Sequence, residues 1–306
     1  MSTVLITGGT GLIGKHLTQL LQQKGYQVTI LARETPPDPL PDVTYAKWNI
    51  PQGSIDTKAV TTADYIIHLA GANVADGRWT DKRKQELIES RTKSSELIVN
   101  TLRNNTHQVK AVVSASATGW YGEYDGDQLS PGFDEDAAPA NDFLGETCRL
   151  WEESIQPVEN MGIRLVKLRT GIVLAKEGGA FTEFRKPIKF GIAAIMDGGD
   201  QVVSWVHIDD ICRMYWYALQ NEQVRGAYNA VAPNPVSNKT LVLEIAKQQR
   251  GKRFIPIHVP SFILKLMLGE MSVEILKSVK ASAGRIKSTG FQFLYPSLEA
   301  AVKALI

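Results

Sequence analysis

Short, nearly unbroken apolar runs alternate with amphipathic stretches along most of the chain. Val4-Leu5-Ile6 leads into a glycine-rich turn and a helical pattern over residues 12–24. A second apolar run spans 26–32, and Tyr65-Ile66-Ile67-His68-Leu69-Ala70 forms a later one. Helical spacing returns over 83–104 and 142–155, and strand-like runs fall at 109–114 and 163–168. Strands apolar at consecutive positions are covered on both faces, as in a parallel sheet. Their alternation with helices predicts βαβ units and an α/β, doubly wound parallel sheet.

The pattern loosens after Thr170. Glycines gather at 178–179, 191 and 198–199, and prolines 233, 235, 256 and 260 interrupt the chain beyond Gly226. A strand-like run at 202–208 and a helix at 210–220 are expected to return the chain to the sheet. The expected division is therefore a sheet domain, residues 1–174 and 205–230, and a smaller substrate lobe, residues 175–204 and 231–306. A net charge of only +2 gives no electrostatic case for nucleic acid or an anionic membrane surface as partner. The most apolar late stretch, 262–268, contains Lys265 and is too short to span a bilayer. The chain opens on a strand rather than a leader, and Cys148 and Cys212 read as reduced thiols, so a cytoplasmic protein is expected.

The first turn reads Thr7-Gly8-Gly9-Thr10-Gly11-Leu12-Ile13-Gly14. Glycines between a strand and a helix let backbone approach a pyrophosphate, and the helix N-terminus offers it free N–H groups. Strand, turn, helix and second strand fall within about 30 residues, as a Rossmann-type dinucleotide fold requires. Arg33 follows the second run, where an NAD site usually has Asp or Glu for the ribose 2′-hydroxyl. A guanidinium suits a 2′-phosphate, so NADP(H) is expected in preference to NAD(H); a solvated surface arginine is the alternative.

The turn resembles that of the extended short-chain dehydrogenase/reductases, and further segments match in order. Trp48-Asn49-Ile50 is similar to the segment beside the adenine, with Asn49 in place of the usual Asp. His68-Leu69-Ala70-Gly71 is similar to the strand end beneath the cofactor, and the run 113–122 to the segment that carries the active-site serine, here Ser116. The resemblance also puts Ser114 and Arg169 beside the cofactor. Residues 204–210 resemble the late motif that closes the lobe on the sheet. A narrower resemblance, to the atypical YfcH-like epimerase family, rests on Gly77-Arg78-Trp79-Thr80, Ser90-Arg91, Cys148-Arg149-Leu150-Trp151-Glu152, Arg169-Thr170-Gly171-Ile172 and Gly290-Phe291-Gln292-Phe293.

Typical members carry Tyr-x-x-x-Lys on the helix after the serine strand, the cation lowering the phenol pKa for proton exchange. Here Leu144 and Cys148 occupy those positions, and neither does that work. The resemblance leaves Ser116 and Arg91 to flank a reacting oxygen. Ser116 can instead satisfy local backbone, Arg91 can pair across helices, and Cys148 reads better as buried filler than as a thiolate. Tyr121 is the phenol nearest Ser116. His207, Asp209 and Asp210 read as a helix start rather than a metal site, so no metal is expected. The expected function is an NADP(H)-dependent oxidoreductase or epimerase-like protein acting on a small molecule, with nucleotide-linked compounds among the candidates; the alternative is a non-catalytic NADP(H) sensor. A homodimer remains open.

Overall fold

The computed structural model describes residues 1–126 and 130–306. The first half runs β1 (Thr3–Thr7), α1 (Leu12–Gln23), β2 (Gln27–Ala32), β3 (Val43–Asn49), β4 (Ser54–Ile55), α2 (Thr57–Thr61), β5 (Tyr65–His68), α3 (Asp81–Arg103), β6 (Ala111–Ala117), α4 (Phe143–Ile155) and β7 (Arg164–Thr170). The second half adds β8 (Ile172–Leu174), α5 (Gly179–Lys189), β9 (Ile192–Met196), β10 (Val202–Val203), β11 (Trp205–His207), α6 (Ile208–Gln220) and β12 (Gly226–Ala230). It closes with β13 (Val236–Ser237), α7 (Asn238–Arg250), β14 (Ile255–Val259), α8 (Ser261–Leu268), α9 (Met271–Leu276), α10 (Gly284–Ser288) and α11 (Leu298–Leu305).

The main sheet has the order β12-β7-β6-β5-β1-β2-β3-β4. All its pairings are parallel except that of β4 with β3. Strand order reverses between β1 and β5, which opens a crevice at their carboxyl ends. Val4, Ile6, Ile30, Ile67 and Val113 are buried on one face in a cluster that continues through Trp205 and Leu241 to Leu305. Leu5, Leu31, Ile66 and Val112 face the other way, against the helix side of Ile98 and Leu102. Two-sided burial is why these strands read as continuous apolar runs. Thr80 and Asp142 start α3 and α4, their side chains accepting from Arg83 N at 3.2 Å and Gly145 N at 2.8 Å.

The late elements depart from expectation in detail. Residues 202–208 do not rejoin the main sheet: β10 pairs with β13, and β11 pairs with β8. The strand that returns is β12, alongside β7. His207, not Asp209, caps α6, its Nδ1 accepting from Asp209 N at 3.1 Å. Asp210 is fully buried and accepts from Leu294 N at 2.8 Å and Tyr295 N at 2.9 Å, fastening the C-terminal segment. That segment also threads between two earlier parts of the chain. Phe133 N donates to Lys280 O at 2.7 Å, and Ser282 N donates to Phe133 O at 2.8 Å. Ala281 N donates to Ser204 Oγ at 2.8 Å.

One hydroxyl joins the strand ends at the crevice. Thr7 Oγ1 accepts from Leu69 N and Ala70 N, both at 3.1 Å, and lies 2.7 Å from His68 Nδ1. With both lone pairs engaged, its proton goes to Nδ1. That assigns the ring proton to Nε2, which meets Ser95 Oγ at 3.0 Å; Ser95 donates onward to Arg91 O at 2.9 Å. Thr7→Val would orphan the buried Ala70 N–H and His68 Nδ1, and leave Leu69 N with Thr7 O alone, at 3.2 Å. Urea denaturation of this variant is expected to show a loss of about 2–4 kcal/mol; an unchanged midpoint would refute the arrangement.

Candidate functional site

The crevice begins at the glycine turn. Gly8 has φ +67, and a Cβ there would stand 2.9 Å from the Leu69 carbonyl. A Cβ on Gly14 would stand 2.4 Å from Gly8 O, so the turn folds tightly against β5 and against itself. Gly11 differs. Its Cβ would meet only Gly8 O at 3.3 Å, because its open side faces a cleft of about 440 Å³. Gly11 caps α1 with no side-chain bond, and the first turn has no acidic residue. Among the described residues, the leading amides of α1 therefore lack acceptors. Thr10, Leu12, Lys15 and His16 line this cleft, and Glu177 reaches across to His16 Nε2 at 3.4 Å. Bare backbone, free N–H groups and the helix dipole together fit a diphosphate. The residues named from the sequence, Thr7 to Gly14, are thus brought together, with Thr7 as the brace and Gly9 turned onto Ile30.

A second cleft, of about 720 Å³, opens at the ends of β2 and β3 and is lined by Arg33 and Asn49. Arg33 is exposed, and no partner for its side chain occurs among the described residues. Asn49 Oδ1 accepts from Gln52 N at 3.1 Å, shaping the turn that follows β3. Ile50 packs against the second core cluster.

On the other side of β1, Leu69, Ala70 and Gly71 follow β5. Gly71 lies against Arg91: a Cβ there would be 3.2 Å from Arg91 Cζ. Arg91 donates to Leu87 O at 2.8 Å and Ala72 O at 3.1 Å, and its guanidinium lies 5.0 Å over the Trp151 ring. Among the described residues it pairs with no carboxylate. It holds the 71–72 backbone, so it acts as a positioning residue.

Ser116 and Arg169 are brought together on one carboxylate. Both are buried around Glu152, which is 4% exposed. Ser116 Oγ donates to Glu152 Oε1 at 2.8 Å, so its proton is not available to a ligand. Arg169 grips both carboxylate oxygens, at 2.8 and 3.1 Å. Its remaining donor reaches Tyr121 Oη at 3.1 Å and Glu135 O at 3.0 Å. Trp120 covers the guanidinium, 3.7 Å from its centroid. Arg169, expected from the resemblance beside the cofactor, is the centre of a buried ion pair. Ser114, 1% exposed, donates to Ala115 O at 3.1 Å and is likewise part of the framework. Tyr121 donates to Asn229 Oδ1 at 2.6 Å, and burial pushes its phenol up to about 12. It is no proton exchanger near neutral pH.

Leu144 and Cys148 share one face of α4, packed against the short turn after β6. A Cβ on Gly119 would stand 3.1 Å from Leu144 Cβ and 3.7 Å from Cys148 Sγ. Burial pushes the Cys148 thiol up to about 12, outweighing the pull of nearby Arg91. A neutral filler thus stands where a thiolate was the other reading. Lys186 pairs with Glu183, and Arg185 donates to Gln249 Oε1 at 3.0 Å, so this basic group serves α5 and its neighbours. Glu135 and Asn229 had no sequence signal, and Glu152 had one only as the end of a segment that carries the family resemblance. His68 had one, as a lone polar residue in an apolar run.

A family model described as the NAD dependent epimerase/dehydratase family matches residues 4–230. A second, for a domain of unknown function, DUF1731, matches residues 259–305. The epimerase family protein YfhF of Bacillus subtilis is 36% identical over 304 residues, covering 99% of this chain and 97% of its own. Human epimerase family protein SDR39U1 (isoform 2), solved with NADPH, superposes with a TM-score of 0.86 at 28% identity, covering 99% of this chain and 98% of that one. A nucleoside-diphosphate sugar epimerase from Corynebacterium glutamicum gives 0.76 at 29% identity, covering 98% of this chain and 57% of that one.

Two measurements test the chemistry of this region. Burial holds His68 neutral, its pKa lowered from 6.5 to about 3. A depressed pKa adds stability that is complete above 6.5 and is lost as pH falls toward 3. The expected loss is up to about 4 kcal/mol, and His68→Gln should flatten this part of the acid-unfolding curve. Separately, Cys148 should resist iodoacetamide in the folded protein at pH 8 and react on unfolding, as mapped by mass spectrometry of the modified peptide. Rapid native alkylation would disprove its neutrality.

Proposed function

The chain belongs to the NAD-dependent epimerase/dehydratase family, and from that premise we propose that it is an NADP(H)-dependent oxidoreductase or epimerase-like protein acting on a small molecule. The observation that carries the reading is the cleft at Gly11, where the fold leaves side-chain-free backbone and uncapped amides facing open space. Arg33, exposed and unpaired among the described residues, supports a 2′-phosphate and so NADP(H) over NAD(H). The NADPH in the human relative agrees with this choice. The sugar-nucleotide relative supports a nucleotide-linked substrate.

When bound, the dinucleotide supplies hydride chemistry at its nicotinamide ring. The protein's part is placement. The amides at the start of α1 would hold the diphosphate, Arg33 would hold the 2′-phosphate, and Asn49 would serve the adenine side. Leu69, Ala70 and Gly71 form the floor beyond the turn. Arg91 stiffens that floor through Ala72 O. Leu144, Cys148 and Tyr121 offer no proton near pH 7, and Ser116 can accept a hydrogen bond but not donate its own. Proton exchange, if the substrate needs it, falls to water or to the substrate itself. The same observation favours a second reading, a sensor that binds NADP(H) without turning over.

Calorimetry should show NADPH binding tighter than NADH. Gly11→Val, whose side chain enters the cleft rather than the core, should reduce binding of both at least about 100-fold while leaving the melting temperature within a few degrees. Arg33→Ala should erase most of the preference for NADPH. Hydride exchange between labelled NADPH and a panel of carbonyls and nucleotide sugars separates enzyme from sensor: inertness with binding intact favours the sensor. Equal affinity for both cofactors in the unaltered protein would end the NADP(H) reading.

A further inference from the structure

Lys47 lies on β3, two residues before Asn49. Strand alternation puts both on one face, while Trp48 between them is turned into the core at 6% exposure. The β2–β3 register sets Lys47 beside Ala32, the residue before Arg33, one strand spacing of about 4.8 Å away. Lys47 and Arg33 line the same cleft of about 720 Å³. Both are exposed, and neither side chain has a partner among the described residues. Two carboxylates, Glu34 and Asp56, line this cleft as well, yet neither pairs with them. Asp56 is engaged elsewhere, its Oδ1 accepting from Ala59 N at 2.9 Å to start α2.

We infer that Lys47 is a second cationic arm of the cofactor's 2′-phosphate subsite and a determinant of NADP(H) specificity. This rests on the NADP(H) reading above. A phosphate monoester carries close to two negative charges at neutral pH, and one guanidinium balances only one of them. A carboxylate beside the site, from Glu34, adds to the deficit. Lys47 supplies the missing charge from the neighbouring strand. The two cations divide the work by geometry: the flat fork of Arg33 fixes orientation, and the ammonium of Lys47, on its flexible stem, adds a point charge.

The test uses the full chain and calorimetry with NADPH, NADH, adenosine 2′-monophosphate and adenosine 5′-monophosphate. Lys47→Ala should weaken NADPH and the 2′-monophosphate about tenfold, leaving NADH and the 5′-monophosphate within about twofold. Lys47→Arg should retain the preference, which a merely structural role of this strand residue would not require. Matching melting temperatures establish that each variant is folded. If the unaltered protein prefers NADPH, and Arg33→Ala removes the preference while Lys47→Ala leaves it intact, the inference about Lys47 is overturned and the NADP(H) reading stands. If the unaltered protein shows no preference at all, the NADP(H) reading fails and takes the inference with it.

Discussion

The hydroxyl of Thr7 sets the geometry on which the crevice depends. It sits where the strand order reverses, and it must serve two amides and a buried imidazole at once. No other small side chain combines two lone pairs with one proton in that volume except serine. Because β5 is held this closely, Gly8 can have no side chain, and the backbone of the turn is pressed onto the Leu69 carbonyl. The opening of α1 is thereby fixed relative to the floor at Leu69–Gly71. Its leading amides are left without partners among the described residues. An anion-accepting mouth thus follows from strand-end packing rather than from charged side chains.

A different interaction governs the far side of the crevice. Glu152, almost fully buried, gathers Ser116, Arg169 and Lys167. A buried carboxylate is tolerable only if its oxygens are met by donors, and here they are met by both a guanidinium fork and a hydroxyl. The cluster extends through Tyr121 to Asn229, and Glu135 joins it to Arg285 at 3.3 Å. Groups that the family resemblance casts as chemical are here absorbed into the framework. The open glycine turn, with amides unpartnered among the described residues, thus contrasts with a far side closed by buried, paired charges.

Much of this was legible in the residues. The apolar runs located β1, β2, β5, β6 and β7 because two-sided burial leaves an unmistakable composition. The glycine turn announced the mouth because only glycine meets its steric limits. Arg33 was legible from its position after β2. The rest was hidden for physical reasons. β8 is a three-residue strand that carries no periodic signal, and β11, within the strand-like run 202–208, gives no sign that β8 is its partner. α7 lies beyond two prolines, which suggested fragments where a 13-residue helix forms. Arg169 looked like a ligand contact, since nothing local shows that Glu152, 17 positions earlier, would meet it. Lone charged residues reveal their partners only when the fold brings distant segments together.

The threading of residues 278–285 has a consequence for biogenesis. These residues leave the ribosome after every strand of the main sheet, yet they pair with Phe133, bond Ser204 and brace Glu135. A nascent chain can assemble β1 to β12 and still lack the strip that fills the gap beside Tyr121. During synthesis that gap is an exposed seam until the segment that seals it, made after β12, is in place. The far wall is therefore completed later than the sheet, whereas the turn that forms the cofactor mouth is made before β2 to β12.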